Sequence, residues 1–280
     1  MKRIGGYALA TAMVLLLAGV AGNYWYYYDA INMQQQSFAE KRALLKSHIQ
    51  VFLPAQAKDN GTERYPAVVF LHGCGGLSED TVPRAEAATA LGYVAVVVDS
   101  LTPRGISWQD NCDGRALQGP ERVGDLLIAL DYARQLPQVN AAELYIIGYS
   151  HGAWTALEAL AFNSTLPPGL TDSPGQHLDG VQAIVAWYPY CGFAAGFPDG
   201  WDKDIPVLML LAEKDLITDP APCQELALAQ RTAGKAITMI TYPGVSHGFD
   251  VNAEWVKIYD PDTARQALAQ QFMFIAQPRG

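Results

Sequence analysis

The stretch Gly148-Tyr149-Ser150-His151-Gly152 constrains this chain more than any other. Ahead of it, residues 144–147 are a short apolar run rich in Ile and Tyr; behind it, 153–162 is rich in Ala and Leu at helical spacing. A buried strand that turns directly into a helix is therefore expected, with Ser150 at the apex. Such a turn leaves no room for side chains two residues either side of the serine, hence Gly148 and Gly152, and it lifts the serine oxygen clear of the sheet. Serine is a weak nucleophile without that placement and a neighbouring base.

A second copy of the pattern, Gly244-Val245-Ser246-His247-Gly248, follows the apolar run 236–242. There the break Pro243-Gly244 precedes the serine, and 249–252 has no helical continuation. Ser150 is thus the nucleophile candidate, and the second copy matters for His247. Strands are expected at 47–53, 67–71, 93–98, 144–147, 181–187, 207–211 and 236–242. From residue 67 they alternate with helices at 82–91, 121–135, 153–162 and 223–233, and a helix over 262–276 closes the chain. Strands apolar on both faces, alternating with helices, make an α/β fold with a mostly parallel central sheet covered on both sides. The segment 163–180, with three prolines and three glycines, is too long for a tight connection and is expected over one edge of the site; Asn163-Ser164-Thr165 within it fits a glycosylation sequon.

Ligands of such sheets bind beyond the carboxyl ends of the strands, so the residues just after each run carry the chemistry. After 67–71 comes His72-Gly73-Cys74-Gly75-Gly76, a loop of small residues able to aim a backbone N–H at a carbonyl oxygen. The oxyanion hole is assigned to the N–H groups of Cys74 and of His151, which follows the nucleophile. A phosphate-cradling reading of this loop lacks the Gly-Lys-Ser/Thr and the second glycine fingerprint it would need. The base is sought among five histidines. His48 lies in the edge strand, His72 in the oxyanion loop, His151 beside the nucleophile and His177 in the Pro/Gly segment, which leaves His247, after the last strand. The acid is expected in Glu213-Lys214-Asp215, after 207–211: Asp215 first, with Glu213 its rival, while Asp204 and Asp219 read as turn and cap residues.

The order Ser150, Asp215, His247 resembles that of α/β-hydrolases. The chain from about residue 68 to 276 resembles the dienelactone hydrolase family within that fold, on five segments: the loop His72 to Gly76, Asp99-Ser100-Leu101-Thr102-Pro103-Arg104-Gly105, the elbow, Glu213-Lys214-Asp215, and Ser246-His247-Gly248-Phe249. The name-giving dienelactone enzymes carry cysteine at the elbow where this chain has Ser150. The resemblance implies hydrolysis of a small ester or related acyl compound through an acyl-enzyme, with neither metal nor organic cofactor. Acyl transfer on the same triad, and a non-catalytic binding module on the same fold, are the alternatives. Arg104 is a candidate for orienting a substrate carboxylate, against a structural ion pair with a helix acid such as Asp125. Trp187 and Tyr188, with Trp108, Trp154 and Tyr190, are candidates for lining an acyl pocket, against simple core packing.

Composition settles the remaining partners. With 280 residues, 50% hydrophobic and 17% charged, the chain can bury a large core, and a net charge of −9 with pI near 5.0 argues against nucleic acid or an anionic membrane surface. The membrane enters only through the N-terminus. Lys2-Arg3 precedes an uncharged stretch from residue 4 to 28, and export is expected, to the periplasmic or extracellular side. Small residues at Gly19 and Ala21 permit signal-peptide cleavage, whereas the length of 4–22 and the aromatic run 24–28 favour an uncleaved anchor, the preferred reading. The domains are then 1–28 as signal peptide or anchor, 29–46 as spacer and 47–280 as the catalytic domain. Cys74, Cys112, Cys191 and Cys223 all fall in expected loops and allow two disulfides, with Cys191 to Cys223 the preferred pair because consecutive strands bring their loops to one edge.

Overall fold

The computed structural model describes residues 13, 34–57, 62–162, 165–173, 175, 177–192, 195, 201, 203–252 and 258–278. The expected N-terminal segment therefore lies, but for Met13, outside the described residues, as do Asn163 and Ser164 of the sequon. The chain divides into two compact units, Met1–Gln35 and Gln36–Gly280, and the second carries everything that follows.

Its sheet has seven strands in the order β1-β3-β2-β4-β5-β6-β7. These are β1 (Ile49–Phe52), β2 (Tyr65–Leu71), β3 (Val94–Val98), β4 (Val139–Tyr149), β5 (Val181–Trp187), β6 (Val207–Ala212) and β7 (Ile237–Tyr242). Only the edge strand β1 runs antiparallel, against β3; every other pairing is parallel. Alternate residues of the central strands feed two cores. Ala67, Val69 and Leu71 of β2 with Leu144 and Ile146 of β4 face one side; Val68, Phe70, Tyr145, Ile147 and Tyr149 face the other. The first face is covered by α4 (Gly119–Gln135), α5 (His151–Glu158) and α6 (Pro220–Thr232), the second by α2 (Thr81–Ala90) and α7 (Pro261–Ile275). A five-residue helix, α3 (Trp108–Cys112), lies in the connection between β3 and α4. The winding reverses between β2 and β4, and their carboxyl ends leave the sheet side by side, with Leu71 opposite Gly148.

The stretch 29–46 reads in sequence as a spacer or short helix leading into the domain, and its described part holds such a helix: Phe38–Leu45 forms α1, capped by Ser37 and Glu40, with Leu45 fully buried. Its Lys41 lays its stem on Gly124 of α4, and its ammonium stands 3.5 Å from the buried carboxylate of Asp125. One expectation is corrected here: the described part of the segment 163–180 does not overhang the site. It connects the end of α5 to the start of β5, so the crossover carries it to the amino ends of the strands, where Leu170 bridges to Gln36 and the carbonyls of His177 and Asp179 accept from Arg134.

Candidate active site

The elbow has the geometry its glycines demand. Ser150 sits at φ 53°, ψ −114°, a left-handed conformation that costs a non-glycine residue about 1–3 kcal/mol and persists only where its surroundings hold it. They do: the Ser150 N–H donates to the Trp187 carbonyl at 2.9 Å, and its own carbonyl accepts from Trp154 N at 3.0 Å as α5 begins. A Cβ on Gly148 would stand 2.4 Å from the Gly152 carbonyl oxygen, and one on Gly152 would stand 2.3 Å from that of Leu71. The elbow is thus seated against the end of β2. The loop that follows β2 crosses the nucleophile, since a Cβ on Gly73 would meet the Ser150 Cβ at 3.7 Å.

His247 reaches this serine from the far side of the sheet. Its Nε2 lies 2.9 Å from Ser150 Oγ, and its Nδ1 lies 2.7 Å from Asp215 Oδ2. A carboxylate beside Nδ1 fixes the proton there and leaves the Nε2 lone pair facing the hydroxyl. Asp215 in turn accepts from the N–H groups of Ile217 and Thr218 and from the Thr218 hydroxyl. Burial alone would raise its pKa, but the His247 contact and these donors together hold the carboxyl below its ordinary range, so it stays ionised. Glu213, the rival acid, does a different job: its carboxylate accepts from Gly244 N at 2.8 Å, while Glu213 N and Lys214 N donate to the carbonyls of Tyr242 and Val245. The acid turn and the histidine loop are laced together by these bonds.

Beneath the site lies a residue that sequence reading missed. Arg122 of α4 is fully buried; its Nε donates to Ser100 Oγ at 2.9 Å, and one terminal nitrogen lies 2.7 Å from the His72 carbonyl and 3.3 Å from His151 Nδ1. It joins the ends of β2 and β3 to the residue after the nucleophile. Burial and then the Arg122 charge push the His151 imidazole down from 6.5 to about 3, and burial likewise lowers His72 well below the usual range. Both are neutral rings with structural partners. His72 donates from Nδ1 to the Gly73 carbonyl and accepts at Nε2 from Ser100 N at 3.1 Å, which fixes the loop of Cys74. As the first residue of α5, His151 has an N–H with no acceptor inside its helix.

At the candidate substrate contacts the structure shows the weighed alternatives, an ion pair for Arg104 and core packing for Trp187 and Tyr188. Arg104 is held in a two-pronged pair with Asp125 at 2.7 and 2.9 Å and donates to the Ser100 carbonyl, so it clamps β3 to α4 rather than waiting for a ligand. Trp187 is buried in the core with its indole N–H on Gln271 Oε1 at 2.7 Å. Tyr188 is also buried; its ring packs edge-on to His247 at 4.6 Å and its hydroxyl donates to Asp250, which Arg84 pairs from the other side. It backs the His247 ring. Trp154 is buried too, its indole N–H on Glu158, and Tyr190 packs edge-on against its ring. Trp108 alone of the expected tryptophans is exposed, at 57%. Both disulfides are formed, Cys191 to Cys223 as preferred and Cys74 to Cys112. Among the described residues no group of three His, Cys, Asp or Glu side chains could hold a metal ion.

With this geometry in place, the sequence profile of the dienelactone hydrolase family matches residues 52–278. A proposed carboxymethylenebutenolidase of Synechocystis sp. is 25% identical over 214 residues, 66% of this chain and 76% of that protein. Among solved structures, a proposed dienelactone hydrolase of Klebsiella pneumoniae is similar with a TM-score of 0.62 at 19% identity, over 82% of this chain and 99% of the other. Esterase 2 of Thermogutta terrifontis, in its form phosphorylated by paraoxon, gives 0.64 at 17% identity, over 81% and 87%. At such identities these two structures speak for the fold alone.

Proposed function

The chain belongs to the dienelactone hydrolase family and is a hydrolase of the carboxylic-ester type, and we propose that Ser150, His247 and Asp215 carry its reaction. The observation that supports this assignment is the unbroken contact from Asp215 Oδ2 through the His247 ring to Ser150 Oγ, at 2.7 and 2.9 Å. His247 Nε2 takes the serine proton as Oγ attacks the carbonyl carbon of a small ester, and Asp215 stabilises the imidazolium that forms. The negative oxygen of the tetrahedral intermediate is received by the N–H groups of Cys74 and His151, an interaction worth about 3–4 kcal/mol per donor because it strengthens only as charge develops. His247 returns the proton to the departing alcohol, then deprotonates the water that releases the acid. With Arg104 engaged by Asp125, recognition of a substrate carboxylate is not part of the proposal.

Hydrolysis of p-nitrophenyl acetate by purified protein tests it. Ser150→Ala and His247→Ala should each lower kcat by about four orders of magnitude or more. Activity surviving in either variant overturns the assignment. We also infer that the catalytic unit works outside the cytoplasm behind the segment 4–22, a reading supported by four cysteines all paired as disulfides and by the Lys2-Arg3 start. Recovery of activity in the cytosolic fraction with free thiols would end it.

A further inference from the structure

The two disulfides differ in what they touch. Cys191 to Cys223 ends in a fully buried cysteine beneath the β5–β6 edge. Cys74 to Cys112 is within reach of solvent, Cys112 being exposed, and one of its halves is the residue whose N–H is assigned to the oxyanion. The same residue is gripped a second time: Asn111, 2% exposed, donates from Nδ2 to the Cys74 carbonyl at 2.9 Å. Side chain and carbonyl of Cys74 are thereby both fastened to α3, while His72, two residues earlier, is fastened to Arg122 and Ser100. The Cys74 N–H shares its peptide plane with the Gly73 carbonyl, which accepts from His72 Nδ1 at 2.6 Å and from Gly76 N at 3.2 Å; the disulfide and the Asn111 bond hold the other side of the Cys74 Cα, so the donor is fixed from both sides before charge develops.

We propose that Cys112 and Asn111 are positioning residues for the oxyanion donor, and that opening the Cys74–Cys112 bond slows catalysis without unfolding the enzyme. The inference rests on the oxyanion reading given above. The chemistry is thiol–disulfide exchange with a dithiol. A thiolate of the reductant attacks one sulfur of the pair, the Cys74–Cys112 bond breaks, and the second thiol of the reductant closes its own disulfide. Two electrons pass to the protein, both cysteines leave as thiols carrying the reductant's two protons, and the reductant is oxidised. Cys112 is the most open point of attack, since Cys74 and Cys191 are half-buried and Cys223 is buried.

The test compares kcat and KM for p-nitrophenyl acetate in the parent, in C74S/C112S, in C191S/C223S, and in the parent after brief dithiothreitol treatment with alkylated thiols mapped by mass spectrometry. Both ways of opening the Cys74 bridge should lower kcat by about tenfold or more with KM within twofold, since the lost interaction belongs to the transition state. Reoxidation with oxidised glutathione should restore the parent, and C191S/C223S should keep kcat within twofold. If kcat is unchanged, if KM rises in step with the loss, if C191S/C223S loses as much, or if activity falls only as the circular dichroism signal does, the proposal is overturned. Where C74S/C112S does not fold, the reduced parent reads the same quantity. His247→Ala run alongside separates the two levels: full activity there sinks the triad itself, not the clamp.

Discussion

Asp215 and Glu213 stand two residues apart in one turn, yet only one faces the base. Asp215 takes His247 Nδ1 and three donors from its own turn, whereas Glu213 takes Gly244 N. Asp215→Asn should cost about three to four orders of magnitude in kcat, because an amide cannot hold the imidazole in the tautomer that leaves Nε2 free. Glu213→Gln, which still accepts from Gly244, should stay within about threefold; reversal of the two effects would move the acid. The placement of Ser150, Asp215 and His247, the proposed triad, was legible because each follows an apolar run at a strand's carboxyl end. Arg122 was not. A charge inside a helix reads as a solvent-facing position, and only the packing of α4 among the strand ends and α5 turns that position inward. The ion pair of Arg104 with Asp125 was legible as the structural alternative to a substrate contact, although the two come from separate elements.

At the level of elements, the turn from β4 to α5 admits no Cβ at two positions. Gly152→Ala would drive a methyl onto the Leu71 and His72 carbonyl oxygens, at 2.3 and 2.6 Å, and backbone cannot step aside as a flexible side chain can. We expect a loss of stability of about 3 kcal/mol or more in urea titration, with activity falling even where the variant folds, because Ser150 must shift with the turn. An unperturbed midpoint would mean the elbow is looser than described. The mostly parallel sheet and its helix cover on both faces followed from period and composition, and the strand positions were right within a few residues. β4 is longer than its apolar run because Val139 pairs with Tyr65 before a register shift, across residues 140–143, a pairing no local pattern reveals. The segment 163–180 was misplaced for a topological reason: a βα crossover returns the chain to the opposite edge, whatever the loop's composition. Helix α1 lies in a polar stretch that reads as spacer or short helix, and Ser37 three residues before Glu40 marks where it starts.

For the whole molecule, acid stability follows from two buried neutral histidines. His151 titrates near 3 in the fold against 6.5 ordinarily, so between those values the unfolded chain binds the extra proton and stability declines as pH falls, by about 1.4 kcal/mol per pH unit for this group. His72 acts in the same direction. Asp215, with its pKa lowered, adds stability above about 4 that is lost only below that range, so the slope between pH 6 and 4.5 belongs chiefly to the histidines. His151→Gln should flatten it in urea titrations at successive pH values, and an unchanged slope would mean that His151 is not held neutral. All of this serves one arrangement, a serine at the switch point of a parallel sheet with a base brought from the last strand. The most direct measurement is peptide mapping of the protein after treatment with a fluorophosphonate. A single adduct on Ser150, absent from His247→Ala over the same period, is the result expected; an adduct on Ser246, or none on the active protein, would contradict the account.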